Sequence, residues 1–134
     1  MLVYLNQLIR QQRGQALVEV ALVLPIFLLL IFGIIEFGRV LGAYLLITHA
    51  SREGARAGAV GAADTDIANA VNNAVPTLDP GRVIIHISPD STSRVRGAAL
   101  TVRVDYSVPL YAPFITSILT NPFPLSAQTT MRIE

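Results

Sequence analysis

Residues 13–39 read RGQALVEVALVLPIFLLLIFGIIEFGR. From Val20 to Ile35 no charged residue occurs, and back to Ala16 only Glu19 interrupts the apolar run. A helix needs about 20 residues to cross the hydrocarbon core of a bilayer, so Ala16 to Ile35 is long enough to do it. This stretch also explains the composition. Of 134 residues, 52% are hydrophobic and 14% charged, which is too apolar for an ordinary soluble domain. The excess is concentrated in one place. A chain of this length then divides into an anchor and one small domain.

Upstream lies MLVYLNQLIRQQRG, residues 1–14, with Arg10 and Arg13 and no acid. The positive-inside tendency keeps such an end cytoplasmic and places the rest of the chain across the membrane. Downstream, Gln15 to Ala59 is predicted as one helix, about 65–70 Å long. Pro25 removes the bond to the Ala21 carbonyl and is expected to bend this stem.

The upper stem, EFGRVLGAYLLITHASREGARAGAVGAA, mixes apolar, charged and small residues. Gly38 and Gly42 form one GxxxG, and Gly54 and Gly58 another. Ala50, Gly54, Gly58 and Ala62 put a small residue at every fourth position, which lets another helix backbone come close. A single GxxxG is a weak signal, and small residues are common throughout this chain. Glu36 and Arg39 close the apolar run at i,i+3 spacing and are expected to pair at the membrane edge.

Beyond the stem the pattern changes. DTDIANAVNNAV is predicted as a short helix, capped by Asp64 or Thr65, with Ile67, Ala70, Val71, Ala74 and Val75 at helical spacing. Pro76 and the Asp79–Gly81 turn end it. Arg82–Ser88 is a short strand. Ala98–Val108 alternates, with Leu100, Val102, Val104, Tyr106 and Val108 on one face. A proline-punctuated connection follows, with a helical turn near Phe114–Leu119. Leu125 to Glu134 alternates again, with Leu125, Ala127, Thr129, Met131 and Ile133 on one face. The expected architecture is α+β: a leader (1–14), a transmembrane and assembly helix (15–60), and a small head (61–134). That head has a short helix and an antiparallel sheet of about three strands.

No catalytic or cofactor signature accompanies this pattern. Cysteine is absent, which removes disulfides, thiolate metal sites and a cysteine nucleophile. His49 and His86 lack ligand-spaced partners and are expected to be structural, so no metal or other cofactor is predicted. There is no G-x-S-x-G, phosphate loop or HExxH. The net charge of +1 carries no nucleic-acid signature. Arg94, Arg96 and Arg103, with no aromatic platform, are expected on a solvated surface. The chain is therefore not expected to be an enzyme.

Glu19 is the exception that needs a reason, because an acid in an apolar segment is costly. Two readings stay open. Lying near the membrane edge, it can snorkel to the headgroups. Alternatively, a cut between Gly14 and Gln15 makes a new α-amine and leaves Glu19 the fifth residue. That carboxylate would then face a free ammonium at a helix start, on its own chain or a neighbour.

The motif RGQALVEVALVLPIFLLLIFGIIEFGRV followed by ASREGARAGA resembles the TadE-like family, the pseudopilins or minor pilins of bacterial tight-adherence pili. The terminal AQTTMRIE is also similar to the end of such proteins. The resemblance covers about Arg13–Ala59, under half of the chain. It implies cleavage after Gly14 by a membrane prepilin peptidase, with Gln15 as the new N-terminus and Glu19 as the acid at the fifth place. It implies an inner-membrane helix with its head outside, later drawn into a type IV-like adhesion filament. The implied partners are other pilin subunits, the peptidase, an assembly platform with its separate ATPase, and membrane lipid. The head is larger than in the very short major pilins, which points to a minor subunit, while a major structural role stays open. Two alternatives differ in kind. One is a secreted binding or enzymatic domain whose ordinary signal is cut near Gly42. The other is an anchored single-pass adapter that is never cut.

Overall fold

The computed structural model describes residues 14–134 in full and, before them, only helical backbone from Leu2. Apart from Gly14, the expected leader with Arg10 and Arg13 therefore lies outside the described residues.

Helix α1 spans Leu2–Ala59 and remains helical through Pro25. Its end follows from local chemistry. Gly61 adopts φ +87°, and the amides of Gly61 and Ala62 bond back to the carbonyls of Gly58 and Ala57 at 3.1 and 3.2 Å. This is a Schellman stop, and the positive φ is why a glycine stands there. The Glu134 amide also bonds to the Ala59 carbonyl at 2.9 Å, so the chain's last residue covers another free helix-end acceptor.

Helix α2 spans Asp64–Ala74 and buries Ile67 and Val71. Its N-cap is Ala63, with no side-chain capping bond, in place of the expected Asp64 or Thr65 cap. Asp64 lies inside the first turn, where a carboxylate still opposes the positive end of the helix.

Strands β1 (Val83–Ser88), β2 (Ala99–Val108) and β3 (Phe123–Arg132) form an antiparallel sheet in the order β1-β2-β3. The register runs from Val83↔Tyr106 to Ser88↔Thr101, and from Ala99↔Arg132 to Val108↔Phe123. β3 starts before the predicted Leu125 and takes in Pro124. A proline lacks the ladder donor, and an edge strand tolerates that loss. The four-residue α3, Ile115–Ile118, interrupts the β2–β3 connection.

The alternation within β2 sends Leu100, Val102, Val104, Tyr106 and Val108 to one buried face. The helices cover this face, with α1 against β2 and β3 and α2 beside α1. The core is filled from α1 by Ala43, Ile47, Ala50 and Ala55, and from α2 by Ile67 and Val71. Ala43, Ile47 and Ala50 fall three or four apart, as one helix face requires, and Ala55 flanks that face. The fold is mixed α+β: a long apolar helix, a short helix and a three-stranded antiparallel sheet.

Candidate functional site

The stem carries three distinct chemical environments. The first is its lower part. From Gly14 to Leu30 every residue is exposed, including Leu22 (69%) and Ile26 (72%). The helix from Gly14 to Ala59 is long and apolar enough to cross a membrane, and none of its most apolar window packs against the head. A helix that is apolar all round belongs in an apolar surrounding. Gly14, Gln15 and Glu19 all lie here and are exposed. A shallow groove on this surface is lined by Glu19, Val20, Val23, Leu24 and Phe27.

The second environment is the joint between stem and head. Glu36 is buried, its side chain only 7% exposed. Its Oε1 accepts from Arg39 Nη1 at 2.7 Å. Its Oε2 accepts from the backbone amides of Tyr111 and Ala112 at 3.4 and 3.3 Å. Arg39 Nη2 donates to the Pro109 carbonyl at 3.3 Å, and the guanidinium lies 4.8 Å above the Tyr111 ring centroid. One acid thus satisfies a cation and two loop donors, which is how a carboxylate can be buried at tolerable cost. Phe37 and Val40 complete the joint, forming a small apolar cleft with Leu110, Ile115, Leu119 and Phe123. The i,i+3 spacing pointed to Arg39 as a partner. The loop amides, more than seventy positions away, left no trace in the sequence.

The third environment is the seam of small residues. A Cβ on Gly54 would lie 2.6 Å from Val71 Cγ2 and 3.1 Å from Val102 Cγ1. A Cβ on Gly58 would overlap Leu100 and touch Ile67. Both glycines therefore admit side chains of α2 and β2 from the same chain. Around Gly38 and Gly42 a Cβ would meet nothing within 4 Å. The two GxxxG motifs thus have different surroundings. Beside the seam, the Ser51 hydroxyl donates to the Thr48 carbonyl at 2.9 Å and lies 2.8 Å from the Thr129 hydroxyl. Among the described residues, no buried side-chain polar atom lacks a partner.

Two basic residues expected on a solvated surface behave differently. Arg103 does lie on the outer sheet face, donating to Asp105 at 2.9 Å. That bond comes first among the causes holding the Asp105 carboxyl below its ordinary range, opposed by partial burial and aided by Ser126 and His86. His86 Nε2 is 3.3 Å from the same carboxylate, whereas His49 is exposed on the stem. Arg94 is instead 10% exposed and pairs with Asp64. It also donates to the carbonyls of Ala62 and Pro89, each at 3.2 Å. It ties the top of the stem to the β1–β2 connection. Only folding brings these acceptors together, so charge pattern alone could not single out this arginine.

The bare lower stem and the stem residues Glu36, Arg39 and Gly54 fall within one segment. Residues 14–56 match the model of the family described as TadE-like protein. No curated protein and no solved structure matches the chain. A TadE-like segment on an N-terminal apolar helix fits a pilin-like protein of the tight-adherence system. That family is structural and pilus-associated rather than enzymatic, and the match suggests other pilus components as partners. The helix itself suggests a membrane anchor.

Proposed function

We propose that the chain is a pilin-like structural subunit, processed after Gly14 and assembled through its N-terminal helix into a tight-adherence pilus or its initiation complex. The observation that carries this is the bare apolar stretch of α1 above Gly14, within the segment 14–56 that matches the TadE-like family. Residues 1–14 serve as a cytoplasmic leader, 15–60 as the transmembrane and assembly helix, and 61–134 as the head on the far side of the inner membrane. Prepilin peptidase releases Gln15. The Glu19 carboxylate then pairs with the new α-amine, of its own chain or a neighbour's, within an apolar bundle. Such a pair adds little net stability but can set the register of packed helices. Gly38 and Gly42, around which a Cβ would meet nothing within 4 Å, offer a close approach for a neighbouring helix, and Glu36 with Arg39 marks the membrane edge.

The deciding measurement is the intact mass or N-terminal sequence of the protein isolated from its native membrane. A start at Gln15 is expected. A start beyond Phe37 would identify an ordinary secretory signal, and a retained Met1 an uncut anchor. Gly14→Leu is expected to block processing, and unimpaired cleavage would place the cut elsewhere. Glu19→Ala is expected to insert normally but enter filaments poorly. Wild-type incorporation of that variant would remove Glu19 from assembly.

A further inference from the structure

The β2–β3 connection, residues 109–122, reads PLYAPFITSILTNP and contains no charged residue. Its base is closed. Asn121 Oδ1 accepts from the Leu110 amide and Asn121 Nδ2 donates to the Leu110 carbonyl, both at 3.1 Å. Glu36 and Arg39 then pin this base to the stem through the Tyr111 and Ala112 amides and the Pro109 carbonyl. Leu110 and Ala112, each 3% exposed, turn inward. Ile115 and Leu119 line the cleft against the stem, whereas three large side chains do the opposite: Tyr111 is 72% exposed, Phe114 69% and Ile118 81%. Phe114 also holds φ +68°, a region that a bulky residue seldom occupies. A loop built to hide its apolar side chains would not carry this backbone strain while leaving them uncovered.

Its position says what covers them. The loop is fastened at Glu36, one residue beyond Ile35, where an apolar run of about 20 residues ends. The exposed apolar band of the stem continues past this point through Phe37 (68%) and Leu41 (59%). Among the described residues, the charges at the joint are a buried acid and its paired arginine, which stacks on a tyrosine. Arginine and tyrosine belong where hydrocarbon gives way to headgroups.

We infer that residues 109–122 form a foot that rests in the membrane interface on the head's side. Tyr111 and Arg39 stand at headgroup level, and Phe114 and Ile118 lie among the outer acyl chains of a phospholipid leaflet. The foot sets the height and tilt of the head above the bilayer. The occupant is lipid because the patch is uncharged and continuous with a helix surface that itself needs an apolar solvent. The inference rests on α1 being the membrane anchor.

The chain contains no cysteine, so single cysteines can carry a fluorophore without background. Leu30→Cys, Ile118→Cys and Val95→Cys would be labelled in the full chain, in vesicles of phosphatidylethanolamine and phosphatidylglycerol carrying nitroxide at a shallow or a deep acyl position. Val95 is 66% exposed and lies next to Arg94, at the opposite end of the head. The expected result is loss of Leu30 emission to the deep quencher, loss of Ile118 emission to the shallow one, and no loss at Val95. Quenching at Leu30 with Ile118 behaving like Val95 overturns the foot while leaving the anchor. An unquenched Leu30 overturns the anchor, and the foot with it. Ile118→Cys copies that crosslink to each other and escape lipid quenching assign the patch to a second copy and also overturn the inference.

Discussion

Helix α1 is one continuous helix in two different surroundings. From Gly14 to Ile35 it exposes nearly every side chain, with Leu17 at 71% and Ile34 at 65%. Above Glu36 it buries Ala43, Ile47, Ala50, Ser51, Gly54, Ala55 and Gly58 along one face. The lower part is the more hydrophobic of the two, yet it contributes nothing to the core. Apolar residues on all sides of a helix cannot be served by a sheet on one side. The upper part gathers small and apolar residues on one face, so a sheet and a second helix can close on it, while Phe37, Leu41 and Leu45 stay exposed on the other. Hydrophobicity alone therefore does not say which part of this helix stabilises the fold. Its angular distribution does.

The largest effect that would break this comparison is at Ile47, which is fully buried. Ile47→Ala is expected to destabilise the head by about 2–5 kcal/mol. Leu22→Ala, at a 69% exposed site, should leave its unfolding unchanged. Denaturation of both variants in detergent, followed by near-ultraviolet circular dichroism, checks this. Equal losses would mean that the lower stem also supports the head.

A smaller effect separates the two glycine pairs. Gly58→Ala forces a methyl group into Leu100 and is expected to cost about 1–3 kcal/mol. Gly42→Ala meets open space and should be neutral or, through helix propensity, stabilising by up to about 1 kcal/mol. Unfolding midpoints that fall equally for the two variants would sink the distinction between seam and open surface.

Glu36→Ala tests the boundary between the two parts. It leaves two loop amides and Arg39 without their acceptor, at a cost of about 1–2 kcal/mol. The effect should be local. Hydrogen exchange is expected to speed up at Tyr111 and Ala112 and to stay unchanged in the centre of β2. Unaltered exchange at both amides would show that Glu36 does not hold the loop.

The smallest effect is at the outer sheet face. Arg103 holds the Asp105 carboxyl below its ordinary range. The folded state therefore binds that proton less readily than the unfolded chain. The pair's stabilisation is present above the unfolded value of about 4 and is lost as pH falls through the lowered folded value. Asp105→Asn should be slightly less stable than the parent at neutral pH and equal to it in strong acid. A constant difference across that range would remove the carboxylate from the explanation.

Much of the fold was legible because it rests on periodicity. The stem, α2 and the inward faces of β2 and β3 all follow from spacing within short windows. The errors were local and have local causes. β3 includes Pro124 because an edge strand tolerates a missing donor, and the N-cap of α2 is Ala63, with Asp64 inside the first turn and paired with Arg94. The candidate site was less legible. Gly54 and Gly58 were visible as small residues, but not that α2 and β2 would fill their space. Arg94 looked like its neighbour Arg96 until folding placed Asp64 and two carbonyls around it.

By itself the sequence determined where an apolar solvent is required and which face of each element turns inward. Both depend on the order of side chains along one helix or strand, and the backbone period converts that order into a face. The tertiary structure alone decided the partners of Glu36, Arg94, Ser51 and the two buried glycines. Those partners lie tens of residues away, and a hydrogen bond or a close contact depends on distance in space, which the linear chain does not record.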